Sequence, residues 1–167
     1  LAPELQEAGM ITDFKWTDFN KDGQMDLIVV GEWMPISFYQ NEGGKFKNVT
    51  TEYGFGDYTG WWYSLEVADI DGDGDEDLIA GNVGLNNKFN PSSKKPLHLY
   101  ANDFDGTGSF DIVLSKDYKG KLVPVRGREC SSQQMPFVAE KFPTYNDFAH
   151  ADLEDIYGEQ KLESSLH

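Results

Sequence analysis

Asp69–Asp77 reads DIDGDGDED: aspartate at every odd position, a further acid at Glu76, and glycine at 72 and 74. Carboxylates packed this closely repel one another in a compact chain, so the run demands either full solvation or a bound cation. The surrounding sequence, EVADIDGDGDEDLIAG from Glu66 to Gly81, places the run between two short apolar stretches that read as strands.

The same arrangement occurs twice more. Trp16–Gly31 reads WTDFNKDGQMDLIVVG, and Leu99–Val113 reads LYANDFDGTGSFDIV. The anchor aspartates are Asp18, Asp69 and Asp103, spaced 51 and 34 residues apart. Each copy runs strand, nine-residue acidic loop, strand, which is the signature of a repeat architecture. Charge follows the loops. The chain of 167 residues has a net charge of −15, and residues 18–26, 69–77 and 103–111 alone hold eleven aspartates and one glutamate against a single lysine, Lys21. Acidity spread for solubility would not be concentrated in this way.

The spacing suits a hard divalent cation. Calcium takes about six to eight oxygens at roughly 2.3–2.6 Å. In the second loop Asp69, Asp71 and Asp73 (positions 1, 3 and 5) would turn inward. Gly74 at position 6 allows the turn, Asp75 offers its backbone carbonyl, and Asp77 at position 9 closes the cage. The matching residues are Asp18, Asn20, Asp22, Gln24 (backbone) and Asp26 in the first loop, and Asp103, Asp105, Thr107, Ser109 (backbone) and Asp111 in the third. Thr107 is a poorer ligand than a carboxylate, so the third site is expected to be the weakest. An EF-hand needs a glutamate at position 12 and helices on both sides. Position 12 here is Val29, Ala80 or Leu114, and the flanks LIVVG, DLIAG and FDIVLS are strand-like. Magnesium prefers fewer protein ligands, and no Cys/His cluster suits zinc. The plain alternative is three Asx turns that favour Asp and Gly without any ion; it does not account for inward positions that are nearly all carboxylate in three copies.

These loops and strands, from Phe14 to Lys116, resemble the FG-GAP/VCBS repeat family, whose calcium loops lie between the strands of β-propeller blades, as in the integrin α-subunit head. GNVGLN at Gly81–Asn86 and VRGRECSSQQMPFVAEKFPTYNDF at Val125–Phe148 look like a bacterial, often surface-exposed subgroup related to the ASPIC/UnbV proteins. The resemblance implies calcium at the loops and a ligand-binding or scaffolding role outside the cell, on the bacterial surface or in the periplasm, with a protein or glycan partner. It does not imply catalysis.

The expected fold is therefore all-β: a partial, integrin-α-like propeller with a C-terminal helical insertion. Strands are expected at Phe14–Asp18, Asp26–Glu32, Ile36–Gln40 and Lys45–Val49, with a turn at Asn41–Gly44, making one four-stranded blade. Trp62–Asp69 and Asp77–Asn82 start a second. A polar loop, Val83–Pro96, leads to Leu97–Asp103 and Phe110–Lys116, read as the start of a third. Residues 1–127 form the blades and residues 128–167 the insertion, with Ser131 and Ser132 as caps of one helix, Thr144 or Asn146 capping a second, and Gly158 stopping it. A propeller closes with about four to eight blades. The expectation is a fragment of a larger ring, with the insertion cut short at His167.

Composition narrows the function. The acidic balance argues against nucleic-acid binding through a basic surface and against attachment to anionic lipid. No apolar run could span a bilayer as a helix. A single cysteine, Cys130, excludes an internal disulfide. No nucleophile motif such as G-x-S-x-G appears, and His98, His150 and His167 lack metal-type spacing. The chain is thus expected not to be an enzyme; the alternative is part of a carbohydrate-active enzyme using paired carboxylates. Trp16, Trp33, Trp61, Trp62 and Tyr63 are read as packing residues rather than a sugar platform.

Overall fold

The computed structural model describes residues 3–166; Leu1, Ala2 and His167 lie outside it, and with them the expected truncation point. Among the described residues the fold is mostly β, with nine strands in antiparallel sheets, five short α-helices and a 3-10 helix at Pro3–Glu7. The chain divides into two compact units, one ending at Asn87 and the other starting at Lys88, a boundary inside the polar Val83–Pro96 loop. No helix among the described residues is long and apolar enough to cross a membrane.

The first unit is organised by one strand. β2 (Asp26–Met34) is apolar on both faces, and alternation along it feeds two cores. Leu27 and Val29 join Met34 and Tyr39 on one side, while Ile28 and Val30 join Ile36, Phe38, Val49 and Leu65 on the other. β1 (Met10–Thr17), β2, β3 (Ser37–Asn41) and β4 (Phe46–Asn48) pair in sequence order as an antiparallel meander, but within one six-stranded sheet rather than as the separate four-stranded blade expected. β5 (Gly60–Ala68) and β6 (Asp77–Asn82) form the next hairpin, which joins the meander where Glu32 and Met34 pair with Trp61 and Gly60. Gly31 in β2 and Gly81 in β6 stand where the neighbouring strand comes too close for a side chain. A Cβ on Gly31 would lie 2.2 Å from the Met10 carbonyl oxygen, and one on Gly81 would lie 2.5 Å from Ser64 Oγ.

The aromatics read as packing divide. Trp62 lies against the second of these cores, and the Trp33 and Trp61 rings meet at 5.4 Å, tilted by 38°. Trp16 and Tyr63 remain about half exposed, Trp16 leaning on Phe46 at the sheet margin.

In the second unit β7 (Leu97–Asn102), β8 (Asp111–Tyr118) and β9 (Lys121–Pro124) form a separate antiparallel sheet. β9 is absent from the sequence reading; Lys119 and Gly120, both at positive φ, make the two-residue turn that returns it. The helical tail packs on this sheet. Tyr100, Phe104 and Val113 share one core with Met135, Val138, Phe148, Leu153, Ile156 and Tyr157.

The tail comprises α1 (Arg128–Gln134), α2 (Phe137–Lys141), α3 (Tyr145–His150), α4 (Leu153–Tyr157) and α5 (Glu159–Glu163). Ser131 and Ser132 are not caps: α1 begins three residues earlier, so both lie inside it. Pro136 then separates α1 from α2, because proline lacks the N–H that a continuing helix needs. Thr144 does cap α3, accepting from the Asp147 N–H, and Gly158 at φ 86 ends α4.

Asp152 and Asp155 form a reciprocal capping box on α4. The Asp155 N–H, then the Lys121 ammonium at 2.9 Å, hold the Asp152 carboxyl below its ordinary 3.8. A depressed folded-state pKa stabilises above the unfolded value and is lost as pH falls through the folded one. Asp152→Ala is therefore expected to cost about 1 kcal/mol at neutral pH. That difference should shrink below about pH 4, read by urea unfolding at several pH values.

Candidate metal centre

The three acidic loops share one hydrogen-bond pattern. The position 6 N–H donates to the position 1 carboxylate in each: Gly23 to Asp18 at 2.8 Å, Gly74 to Asp69 at 3.1 Å and Gly108 to Asp103 at 2.9 Å. The position 5 N–H donates to the position 3 side chain in each: Asp22 to Asn20 at 2.9 Å, Asp73 to Asp71 at 3.1 Å and Thr107 to Asp105 at 3.1 Å. The position 2 N–H reaches the position 9 carboxylate in the second and third loops, from Ile70 to Asp77 and from Phe104 to Asp111.

Backbone conformation explains the glycines. Positions 4 and 6 are left-handed in all three loops, filled by Gly72 and Gly74, by Gly106 and Gly108, and in the first loop by Lys21 (φ 60) and Gly23. A left-handed lysine is uncommon because its Cβ crowds the backbone. Its ammonium forms an ion pair with Asp75 of the second loop, and Thr17 beside the first loop hydrogen-bonds Glu76. The two loops of the first unit thus lie side by side, flanking an open cleft of about 440 Å³ that Trp16, Phe19 and Met25 help to line.

These turns bring carboxylates of positions 1, 3 and 9 together. One oxygen from each of Asp69, Asp71 and Asp77 falls within 4.8 Å of the others, and the same holds for Asp103, Asp105 and Asp111. Asp73 and Asp75 stand outside the second cluster. Asp73 Oδ1 accepts from the Asp75 N–H at 2.9 Å, and the Asp75 side chain faces Lys21, leaving its main-chain carbonyl as the group position 7 can offer. Thr107 and Ser109 lie on the exposed side of the third loop.

In the first loop Asn20 replaces the position 3 carboxylate, and Asp26 carries the informative feature. Asp26 is fully buried; Oδ1 accepts from the Asn41 N–H at 2.7 Å, while Oδ2 has no hydrogen-bond partner. Burial pushes its carboxyl above 3.8, opposed by the Asn41 N–H, reinforced by the negative charges of Asp22 and Asp18, and weakly opposed by the Asn20 N–H. A buried, unpaired carboxylate oxygen is costly unless a proton or a cation satisfies it. The Gln24 side chain accepts from the Gly43 N–H at 3.1 Å, which leaves its carbonyl for position 7 duty. The donors of all three loops are hard oxygens, matched to calcium rather than to a softer metal.

Position 2 anchors two of the loops. Phe19 packs edge-on to Phe38 and Tyr53, and buried Phe104 lies 4.9 Å from the Tyr157 ring, whereas Ile70 is exposed. Sequence reading did not identify the partners that come from outside the loops. Asn41 holds Asp26, Gln134 reaches Asp111 at 3.4 Å, and Lys161 donates to the carbonyls of Asp103 and Phe104. Lys161 is 58 residues from Asp103, and no local pattern signals such a contact.

Comparison with known families matches residues 18–80 to the FG-GAP-like repeat. No curated protein and no solved structure matches the chain. The matched span opens on Asp18, the first anchor, and closes in β6 just after the second loop, so it contains both loops of the first unit with β2 to β5 between them. Residues 18–80, with their two acidic loops set between antiparallel strands, are thus similar to the FG-GAP-like repeat.

Proposed function

We propose that this chain is a calcium-binding repeat module of β-propeller type that serves in ligand binding or scaffolding outside the cell, with a protein or glycan as partner. The observation that carries the reading is Asp26, fully buried, whose Oδ2 makes no hydrogen bond of normal geometry, the Asn20 N–H giving only a weak approach to the carboxyl. A cation shared with Asp18, Asn20 and Asp22 would satisfy it. The carboxylate clusters of the second and third loops support the same chemistry. The blade-like β1–β4 meander and the FG-GAP repeat support a propeller-type architecture, in which further blades complete a ring.

In this reading calcium neutralises the loop carboxylates and fixes the turn between paired strands, so metal affinity becomes folding stability. Carboxylates engaged by calcium are not free to act as general acids, which favours a binding role over glycoside hydrolysis. A glycan array and a glycosidase screen, each run in calcium and in chelator, test it. Calcium-dependent capture without turnover is the expected result; hydrolysis that survives chelation would replace the module with an enzyme.

A further inference from the structure

The helical tail reaches the third loop through a set of polar contacts that packing does not require. Lys161 Nζ, from α5, donates to the carbonyls of Asp103 at 3.1 Å and Phe104 at 2.7 Å, positions 1 and 2 of the loop. Asn102, the residue before the loop, works in the opposite direction. Its Nδ2 donates to the Lys161 carbonyl at 2.7 Å and to Ser164 Oγ at 3.0 Å, while its Oδ1 accepts from the Asp103 N–H at 2.8 Å. Beyond the helix, Ala101 and Leu166 exchange a pair of backbone hydrogen bonds at 3.0 and 3.1 Å.

α5 has little else to hold it. It is five residues long, its N-cap Gly158 offers no side-chain cap, and none of its residues is fully buried, although Leu162 leans on the core. A helix this short is not stable by itself. The loop it grips is the one that lacks a carboxylate at position 5, where Thr107 stands in place of Asp22 or Asp73. Its ligands need more positioning from outside than those of the other two loops.

Building on the calcium reading of the third loop, we infer that Asn102 and Lys161 are positioning residues for that site, and that calcium at residues 103–111 and order in residues 159–165 stabilise one another. Calcium fixes the main chain at Asp103 and Phe104, and the fixed carbonyls hold the Lys161 ammonium and, through Asn102, the end of α5. Reciprocity makes the two effects equal: whatever factor calcium contributes to the order of α5, an ordered α5 contributes to calcium affinity. Coupled sites of this kind differ by about 5- to 150-fold, and a link of a few hydrogen bonds points to about tenfold.

Hydrogen exchange of the full chain, metal-free and in 10 mM CaCl₂, tests the coupling. Amides of 159–165 should exchange about tenfold more slowly in calcium, together with those of 103–111. Asn102→Ala removes the bridge without changing charge. In that variant 103–111 should still be protected by calcium while 159–165 are not, and the third site should bind about tenfold more weakly by calorimetry. Lys161→Met, which keeps the aliphatic stem, should show the same loss of protection in the tail. Protection of 103–111 with no change in 159–165 in the unaltered chain would overturn the inference alone, as would undiminished coupling in Asn102→Ala. Absence of calcium protection at 103–111 itself would overturn the calcium reading of that loop and the coupling with it.

Discussion

In millimolar calcium the chain is expected to melt more than ten degrees above its melting temperature in chelator. The reason is electrostatic and local. Residues 18–26, 69–77 and 103–111 carry most of the net negative charge, and one carboxylate oxygen from each of positions 1, 3 and 9 in the second and third loops lies within 4.8 Å of the others. Without a cation this repulsion opposes the fold; with one it becomes coordination. A ligand at a hundred times its dissociation constant stabilises by about 2.7 kcal/mol per site. For a unit of about 80 residues each kcal/mol corresponds to roughly 4–8 °C. Magnesium at the same concentration should do much less, because it retains its water shell. Superimposable melting curves in calcium and chelator would remove the stabilising role.

The second large effect is expected at Ile156. Its side chain is 1% exposed in α4, within the core that joins Met135, Val138, Leu153 and Tyr157 to Tyr100, Phe104 and Val113 of the sheet. Ile156→Ala should destabilise the second unit by about 2–5 kcal/mol, the range for truncating a buried aliphatic side chain. The cavity opens next to Tyr157, on which Phe104 of the third loop rests, so amides of 103–111 should lose protection along with those of the helices. A change below about 0.5 kcal/mol in urea unfolding, the range of a surface substitution, would mean that the tail and the β7–β9 sheet do not share a core.

The loops were the most legible part of this chain because their pattern is repeated and strictly alternate. Asp69, Asp71 and Asp77, and Asp103, Asp105 and Asp111, could be placed on one side of a turn from spacing alone, and the strands either side follow from short apolar runs. The left-handed backbone at position 4 was hidden in the first loop because Lys21 occupies it, and lysine carries no signal for that conformation. The buried state of Asp26 was also hidden: nothing near it in sequence shows that Asn41, fifteen residues on, closes over one of its oxygens.

The tail was harder for a different reason. Its helices have five to seven residues, too few for an apolar stripe to declare which face is buried, and Ser131–Ser132 read as caps when the helix starts at Arg128. Strand β9 is four residues long and ends in Pro124, below the length at which alternation is informative. That Phe104 and Ile156, 52 residues apart, belong to one core is a property of the tertiary fold alone.

Isothermal titration of the metal-stripped chain with calcium, using Asp69→Asn and Asp103→Asn as controls, decides whether the three loops hold the ion. Three sites per chain are expected, with Asp69→Asn losing the second and Asp103→Asn the third while the remaining sites keep binding. No heat of binding at millimolar calcium, or a stoichiometry unchanged in both variants, would contradict it.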